Sequence, residues 1–256
     1  MIELVTDIDA DDFAKYKSLR ESAFHEDKSF IADSPKVVNL LLQSDIKIKS
    51  ILATQEYYDT FVSLLESKDI PLKYLATKET MAKIVGHKIH HNCMMHGIRP
   101  DDISLDELES KVLLLDGITS SENVGSIVRS CVALGVNSLI ISKETPHPFN
   151  RRALRVSMGH SNMIKTHIHT DIKETIKTLQ KRGYKVYAAE ICEGSTPLHQ
   201  VKISPMWVLI VGHEGRGISE EILKLCDEVV TIAMQEGVKS LNVGVAASLM
   251  MYQFNL

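Results

Sequence analysis

Short, mostly apolar runs alternate with stretches of helical period through the second part of the chain. The runs at 112–116 (VLLLD), 138–141, 185–189, 208–211 and 229–232 predict strands. The segments 124–134, 172–182, 219–225 and 243–254 carry helical spacing, and Ser219 followed by Glu220 and Glu221 forms a cap with acids in the first turn. Strands apolar on both faces that alternate with helices imply a parallel sheet covered on both sides. Ligands of such sheets bind in loops beyond the carboxyl ends of the strands. The first hundred residues predict strands at 30–32, 48–53 and 72–75. They also predict helices at 35–42 (Pro near its start), 57–67 and 78–85, which together make a small α/β unit. The stretch 97–111 (GIRPDDISLDELESK) is polar and holds a Pro, so the boundary falls there. The expected organisation is a domain at 1–100, a linker at 101–111 and a domain at 112–256.

Composition narrows the class. Apolar residues at 44% and charged residues at 24% describe an ordinary globular protein. No apolar run reaches the ~18 residues of a membrane span. The acidic opening MIELVTDIDADDFAKY lacks the apolar core of a signal peptide. No membrane partner is expected. Four scattered cysteines, Cys93, Cys131, Cys192 and Cys226, form no CxxC and read as reduced thiols, which predicts a cytoplasmic location. The net charge of −4 speaks against a strongly basic RNA coat but leaves room for a local patch. Lys and Arg number 13 against 18 Asp and Glu up to residue 106, and 16 against 15 beyond it, so the second part is the less acidic.

Three loops carry candidate chemistry. In LDGITSSENVGSIVRS, Asn123 and Gly125 stand at a helix entry with Arg129 in the second turn. A helix N-terminus with an Arg suits a phosphate, and it equally suits a plain helix start with a solvated Arg. In VLIVGHEGRGIS, Gly212, Gly215 and Gly217 permit positive φ and close approach to a ligand, or serve a tight turn alone. Glu214 among them would repel a phosphate and suits hydroxyls or a cationic centre instead. In VTIAMQEGVKSLNVGVAASLMMYQF, Ser240 and Asn242 are candidate caps of an Ala- and Met-rich terminal helix.

The order N-x-G-x-x-x-R, then G-x-E-G-x-G, then I-x-M-x-x-G-x-x-S-L-N-V before a last helix resembles the three signature motifs of the SpoU (TrmH) RNA 2′-O-ribose methyltransferases, over about 112–256. FIADSPKVVNLLLQSDIKIKSILAT is similar to the small ribosomal-protein-like domain that precedes the catalytic domain in many members, with Asp33-Ser34 where the family has an acidic-Gly pair. The resemblance implies an α/β fold. Its C-terminal parallel-sheet methyltransferase domain would carry a trefoil knot, preceded by a small α/β substrate-binding domain. It also implies S-adenosylmethionine as cofactor, RNA as partner (ribosomal ahead of transfer RNA) and a homodimer paired across the terminal helix that completes the active site jointly.

By resemblance, Gly212, Glu214, Gly217, Ile232, Met234, Ser240 and Leu241 line the cofactor pocket. Arg129 matches the family's catalytic Arg. A guanidinium is too weak an acid to give up its proton readily and serve as a base, so anchoring the phosphate beside the ribose hydroxyl is its expected role. Asn123 and Asn242 match positions near the transferred methyl, and Glu214 is expected to orient Asn123 or Arg129. Arg151, Arg152 and Arg155 of NRRALRVSMGHSNM offer a basic face for RNA phosphates, or a solvated helix face. His160, His213, Ala233 and Gly244 depart from the family pattern. A nicotinamide enzyme would need GxGxxG after the first strand, which is missing. A non-catalytic RNA-binding member is opposed by the retention of Asn123, Arg129, Glu214 and Asn242. No metal site is expected, because His87, His90, His91, Cys93 and His96 fit no standard zinc spacing.

Overall fold

The computed structural model describes residues 2–17 and 27–256. Residues 18–26, which fall in the expected first domain, lie outside the described residues. Contacts divide the chain into two compact units, Met1–Asp101 with Phe149–Asn162, and Asp102–Pro148 with Met163–Leu256. The segment carrying the three arginines therefore groups with the first unit.

In the first unit, β1 (Glu3–Leu4), α1 (Ala14–Lys17), β2 (Ser29–Asp33), α2 (Pro35–Leu42), β3 (Lys47–Ala53), α3 (Gln55–Thr60), α4 (Val62–Glu66), β4 (Leu72–Leu75), α5 (Lys78–Val85) and β5 (Cys93–Ile98) follow in order. The sheet runs β1-β4-β3-β5-β2, with β5 antiparallel to both neighbours. Apolar clusters cover both faces, one including Phe30, Leu41, Ile51 and Tyr57, the other Ile31, Leu52, Met81 and Met94. Two expectations are corrected here. The helix expected at 57–67 is broken at Phe61 (φ −117°, ψ 26°), whose ring turns onto Tyr57 at 5.0 Å and onto the core. β5 was not among the elements read from periodicity, because CMMHGI has a single β-branched residue; its place between β2 and β3 makes it a strand.

The second unit starts with β6 (Lys111–Asp116), α6 (Ser121–Ala133) and β7 (Ser138–Ser142). After α7 (Arg151–Val156), which belongs with the first unit, come β8 (Lys165–His169), α8 (Ile172–Lys181), β9 (Lys185–Ala189), β10 (Thr196–Pro197), β11 (Trp207–Gly212), α9 (Glu220–Leu223), β12 (Glu228–Thr231) and α10 (Val243–Phe254). All seven strands are parallel, in the order β10-β12-β9-β11-β6-β7-β8. The parallel sheet covered on both faces, expected from the apolar runs, is what forms. One face is packed by Ile176 and Leu179 of α8 and by Ile222 of α9. On α10, Phe254 meets Trp207 and Tyr187 edge-on at 5.2 and 5.0 Å, and Met251 receives the Cys131 thiol of α6. β8 was missed because KTHIH reads as polar; it is an edge strand, where polar residues are tolerated. No helix among the described residues is long and apolar enough to cross a membrane.

Two details of the first unit bear on its sequence motifs. Ser34, in the place of the family's Gly, takes φ +78° and ψ 143°, a region that a Cβ makes costly. Asp33 beside it is buried, and one of its oxygens accepts from both Nε and an Nη of Arg151, each at 2.8 Å. Arg151 is therefore committed to an ion pair inside its own unit, while Arg152 and Arg155 lie on the surface of α7. Breaking a buried pair from one side leaves an uncompensated charge. Arg151→Ala is expected to lower the unfolding free energy by about 3 kcal/mol, read as a drop in urea midpoint at unchanged slope.

Candidate functional site

A cavity of about 850 Å³ opens at the carboxyl ends of β9, β11 and β12. Its walls come from three loops: 189–191 after β9, 211–218 around the end of β11, and 230–243 leading into α10. The second loop owes its shape to glycine. A Cβ on Gly212 would lie 2.5 Å from the Gly217 carbonyl carbon, and Gly217 holds φ +64°. His213 closes the turn: its carbonyl accepts from Gly217 N–H at 2.8 Å and its Nδ1 from Gly215 N–H at 2.9 Å. The turn therefore keeps a side-chain acceptor although His stands in place of the usual Asn.

At the rim, three side chains from the three motifs form one hydrogen-bonded chain. Asn242 caps α10, its Oδ1 accepting from Gly244 and Val245 N–H at 2.9 and 3.3 Å. Its Nδ2 donates to Asn123 Oδ1 at 3.1 Å, and Asn123 Nδ2 donates to Glu214 Oε1 at 2.8 Å. The backbone N–H groups at the start of α10 fix which end of each amide is oxygen, and that polarity runs down the chain to the carboxylate. Glu214 also accepts from the N–H groups of Thr119 and Ser120 at 3.5 and 3.4 Å. Partial burial pushes its carboxyl pKa up, but the bonds from Asn123, Thr119 and Ser120 outweigh this and hold it below the ordinary glutamate value. The charged form therefore carries the linkage, which is retained above that value and lost as pH falls through the depressed one.

Gly212, Glu214, Gly217, Ile232, Met234, Ser240, Leu241 and Asn242 all lie on the cavity wall. Asn123 joins them through its two hydrogen bonds. Ser120 caps α6 by accepting from Asn123 N–H at 3.3 Å, so Asn123 sits in the first helical turn. Ser240 makes no cap; Asn242 alone takes that role. Glu214 orients Asn123, whereas Arg129 has no hydrogen-bond or ion-pair partner among the described residues and lies exposed on α6. Gly244 stands where Ser is common, and a Cβ there would approach Ser126 Oγ and Asn242 Oδ1 to 3.2 Å, so its absence lets α6 and α10 close together. Sequence reasoning missed Ala189, Glu190 and Ile191, together with Arg216 and Lys239. The strand-end rule applied to β9 points to the first three. In the first unit, Cys93 is buried, His87 bonds the Val85 carbonyl and His96 bonds Ser29 Oγ. Among the described residues no three ligating side chains converge as a metal site.

Residues 110–252 match the SpoU rRNA Methylase family. The chain belongs to that family. It is an RNA methyltransferase of the TrmH/SpoU type. It is 28% identical over 233 residues to an uncharacterized tRNA/rRNA methyltransferase of Mycobacterium bovis, covering 87% of this chain and 79% of that protein. It is 29% identical over 153 residues to a 23S rRNA (guanosine-2′-O-)-methyltransferase of Vibrio parahaemolyticus, covering 60% and 62%. Among solved structures, an AdoMet-bound rRNA methyltransferase from Sinorhizobium meliloti matches with a TM-score of 0.84 at 20% identity, over 99% of this chain and 97% of that one. The SpoU methyltransferase AviRb from Streptomyces viridochromogenes, in complex with AdoMet, matches at 0.81 and 19% identity, over 96% and 97%. At such identities the structural matches speak for the fold, and they agree with the α/β parallel-sheet class.

The Asn123–Glu214 bond is charge-assisted but solvent-exposed, so its net worth sits at the low end of its class. A double-mutant cycle with Asn123→Ala and Glu214→Ala, followed by denaturant titration, is expected to return a coupling of about 1 kcal/mol. Strict additivity would mean that the bond does not persist in solution.

Proposed function

We propose that this chain transfers a methyl group from S-adenosylmethionine to a ribose 2′-hydroxyl in structured RNA, ribosomal RNA ahead of transfer RNA. The observation that carries this reading is the Asn242–Asn123–Glu214 chain at the mouth of the cavity, where the three motifs meet. The cavity suits such a donor physically. Its volume is in the range of small-molecule sites, its walls include Val211, Ile232, Leu241, Ala246 and Met250, and Gly212 and Gly217 bring bare backbone to its edge. S-adenosylmethionine supplies the reactive methyl when bound. The protein's part is orientation, which can lower a barrier by roughly 7–11 kcal/mol. The Asn pair sets the rim on which the ribose is placed, and Glu214 holds Asn123. Arg129 anchors the phosphate next to the target hydroxyl without giving up its own proton. On the first unit, Arg152 and Arg155 offer exposed cations for RNA phosphates, and Arg151 contributes chiefly through Asp33.

A homodimer belongs to the same reading. Val245, Leu249 and Tyr252 form an exposed apolar stripe along α10, at 49%, 46% and 57% exposure, and Leu256 continues it. A second copy on that stripe would cover it and would bring a partner's Arg129 toward the site that its own chain leaves without one. We also infer a trefoil knot at the chain end. Its support is the match of residues 110–252 to the SpoU family, whose resemblance implied the knot. A cytoplasmic location rests on the four free cysteines.

Mapping 2′-O-methyl sites in total RNA with and without this protein is expected to show the loss of a discrete ribosomal RNA position. Arg129→Ala is expected to lower methyl transfer at least 10³-fold, on the order of 4 kcal/mol of barrier, while calorimetry still detects S-adenosylmethionine binding. Full activity in that variant would remove Arg129 from the site. In sedimentation, the wild-type chain is expected to run as a dimer and Leu249→Glu as a monomer, because a carboxylate cannot be buried unpaired in an apolar interface.

A further inference from the structure

Four charged side chains line the cavity: Glu190, Glu214, Arg216 and Lys239. Glu214 is held by Asn123 and by the 119–120 backbone, on the side of β11 that faces β6 and α6. Glu190 follows β9, on the opposite flank of β11. It has no place in the three family motifs, yet the fold gives it a fixed geometry. One carboxylate oxygen accepts from Ile218 N–H at 2.8 Å, and the other from Ile191 N–H at 2.9 Å. Gly217 leaves the room, since a Cβ there would run into the carboxylate. Each oxygen thus spends one acceptor position on the backbone and retains another, and a carboxylate can only accept.

We propose that Glu190 is a donor-recognition residue whose carboxylate accepts both vicinal ribose hydroxyls of the methyl donor. The inference rests on S-adenosylmethionine as that donor. Two oxygens held in one plane by two separate backbone amides present paired acceptors, which a vicinal diol matches with paired O–H groups. The charge suits neutral hydroxyls and would repel a phosphate. Placement agrees with this. The reacting end of the donor belongs near the Asn242–Asn123–Glu214 rim, on the β6 side of the second loop, which leaves the non-reacting nucleoside for the β9 side where Glu190 sits. Binding energy collected at the nucleoside would hold the methyl in line without touching it. Arg216 and Lys239, as donors, cannot take this role; they suit the donor's carboxylate end.

The test is calorimetry on the full-length protein with S-adenosylmethionine, S-adenosylhomocysteine, the 2′-deoxy and 3′-deoxy forms of the latter, and a deaminated analogue. In the wild type, removing either hydroxyl is expected to weaken binding roughly tenfold or more, as for hydrogen bonds to a charged group. Glu190→Gln and Glu190→Ala are expected to weaken S-adenosylhomocysteine by a similar factor and to show no further loss with the deoxy forms. The proposal is overturned if the deoxy forms lose the same factor in wild type and variants, or if the deaminated analogue is the one whose loss disappears in the variants. Should either variant fail to fold by circular dichroism, the wild type alone decides: indifference to both hydroxyls overturns the assignment. If the wild type binds neither S-adenosylmethionine nor S-adenosylhomocysteine, the methyl-donor reading itself falls, a result distinct from binding without hydroxyl discrimination.

Discussion

The hydrogen bond from Asn123 to Glu214 is the constraint on which the site depends. It ties the loop after β6 to the glycine turn after β11, and through Asn242 it reaches the cap of the last helix. Three segments whose linked residues span 119 positions of sequence from first to last are thereby brought to one edge of a parallel sheet. Each link uses a group that already serves the fold. Asn242 is a helix cap, Asn123 lies in a capped first turn, and Glu214 gathers two backbone N–H groups. In Asn242 a helix cap and a place on the cavity wall coexist in one side chain.

The sheet makes this possible. Its seven strands are all parallel, with β6, β9 and β11 buried at its centre, so every strand must return through a crossover, and all carboxyl-end loops emerge on one side. The glycine turn then sets how near backbone can come to a ligand. Gly212 and Gly217 are too closely opposed for any side chain, and Glu190 occupies the space that Gly217 leaves open. The exposed stripe of α10 and Arg129, whose side chain has no partner among the described residues, both face solvent within a single chain. A helix packed on α6 along one side, with Val245, Leu249 and Tyr252 bare along another, is only half used within a single chain.

The departures from family pattern have physical substitutes here. His213 supplies the turn acceptor through Nδ1, and Gly244 lets two helices approach at Ser126. Ser34, by contrast, carries the strained dihedrals that a Gly would relieve, next to an Asp33–Arg151 pair that draws one of the three arginines into the structure of its own unit. The sequence pattern alone could not separate Arg151 from Arg152 and Arg155, since the three are equivalent in charge and differ only in what stands opposite.

Periodicity by itself determined the terminal helix at Val243–Phe254, α5 at Lys78–Val85 and the apolar strands β6, β9, β11 and β12. These elements keep a helical period or a mostly apolar run, so local spacing carries most of their signal. The motif glycines and asparagines were legible as chemistry for the same reason: their spacing along the chain is itself the signal. Tertiary structure decided the rest. CMMHGI became a central strand because β2 and β3 offered unpaired backbone on both sides, and KTHIH became an edge strand beside β7. The helix at 57–67 broke where Phe61 found the core. Glu190 gained its place only when β9 was set beside β11, because a carboxylate's partners are chosen by neighbours in space and leave no period in the sequence.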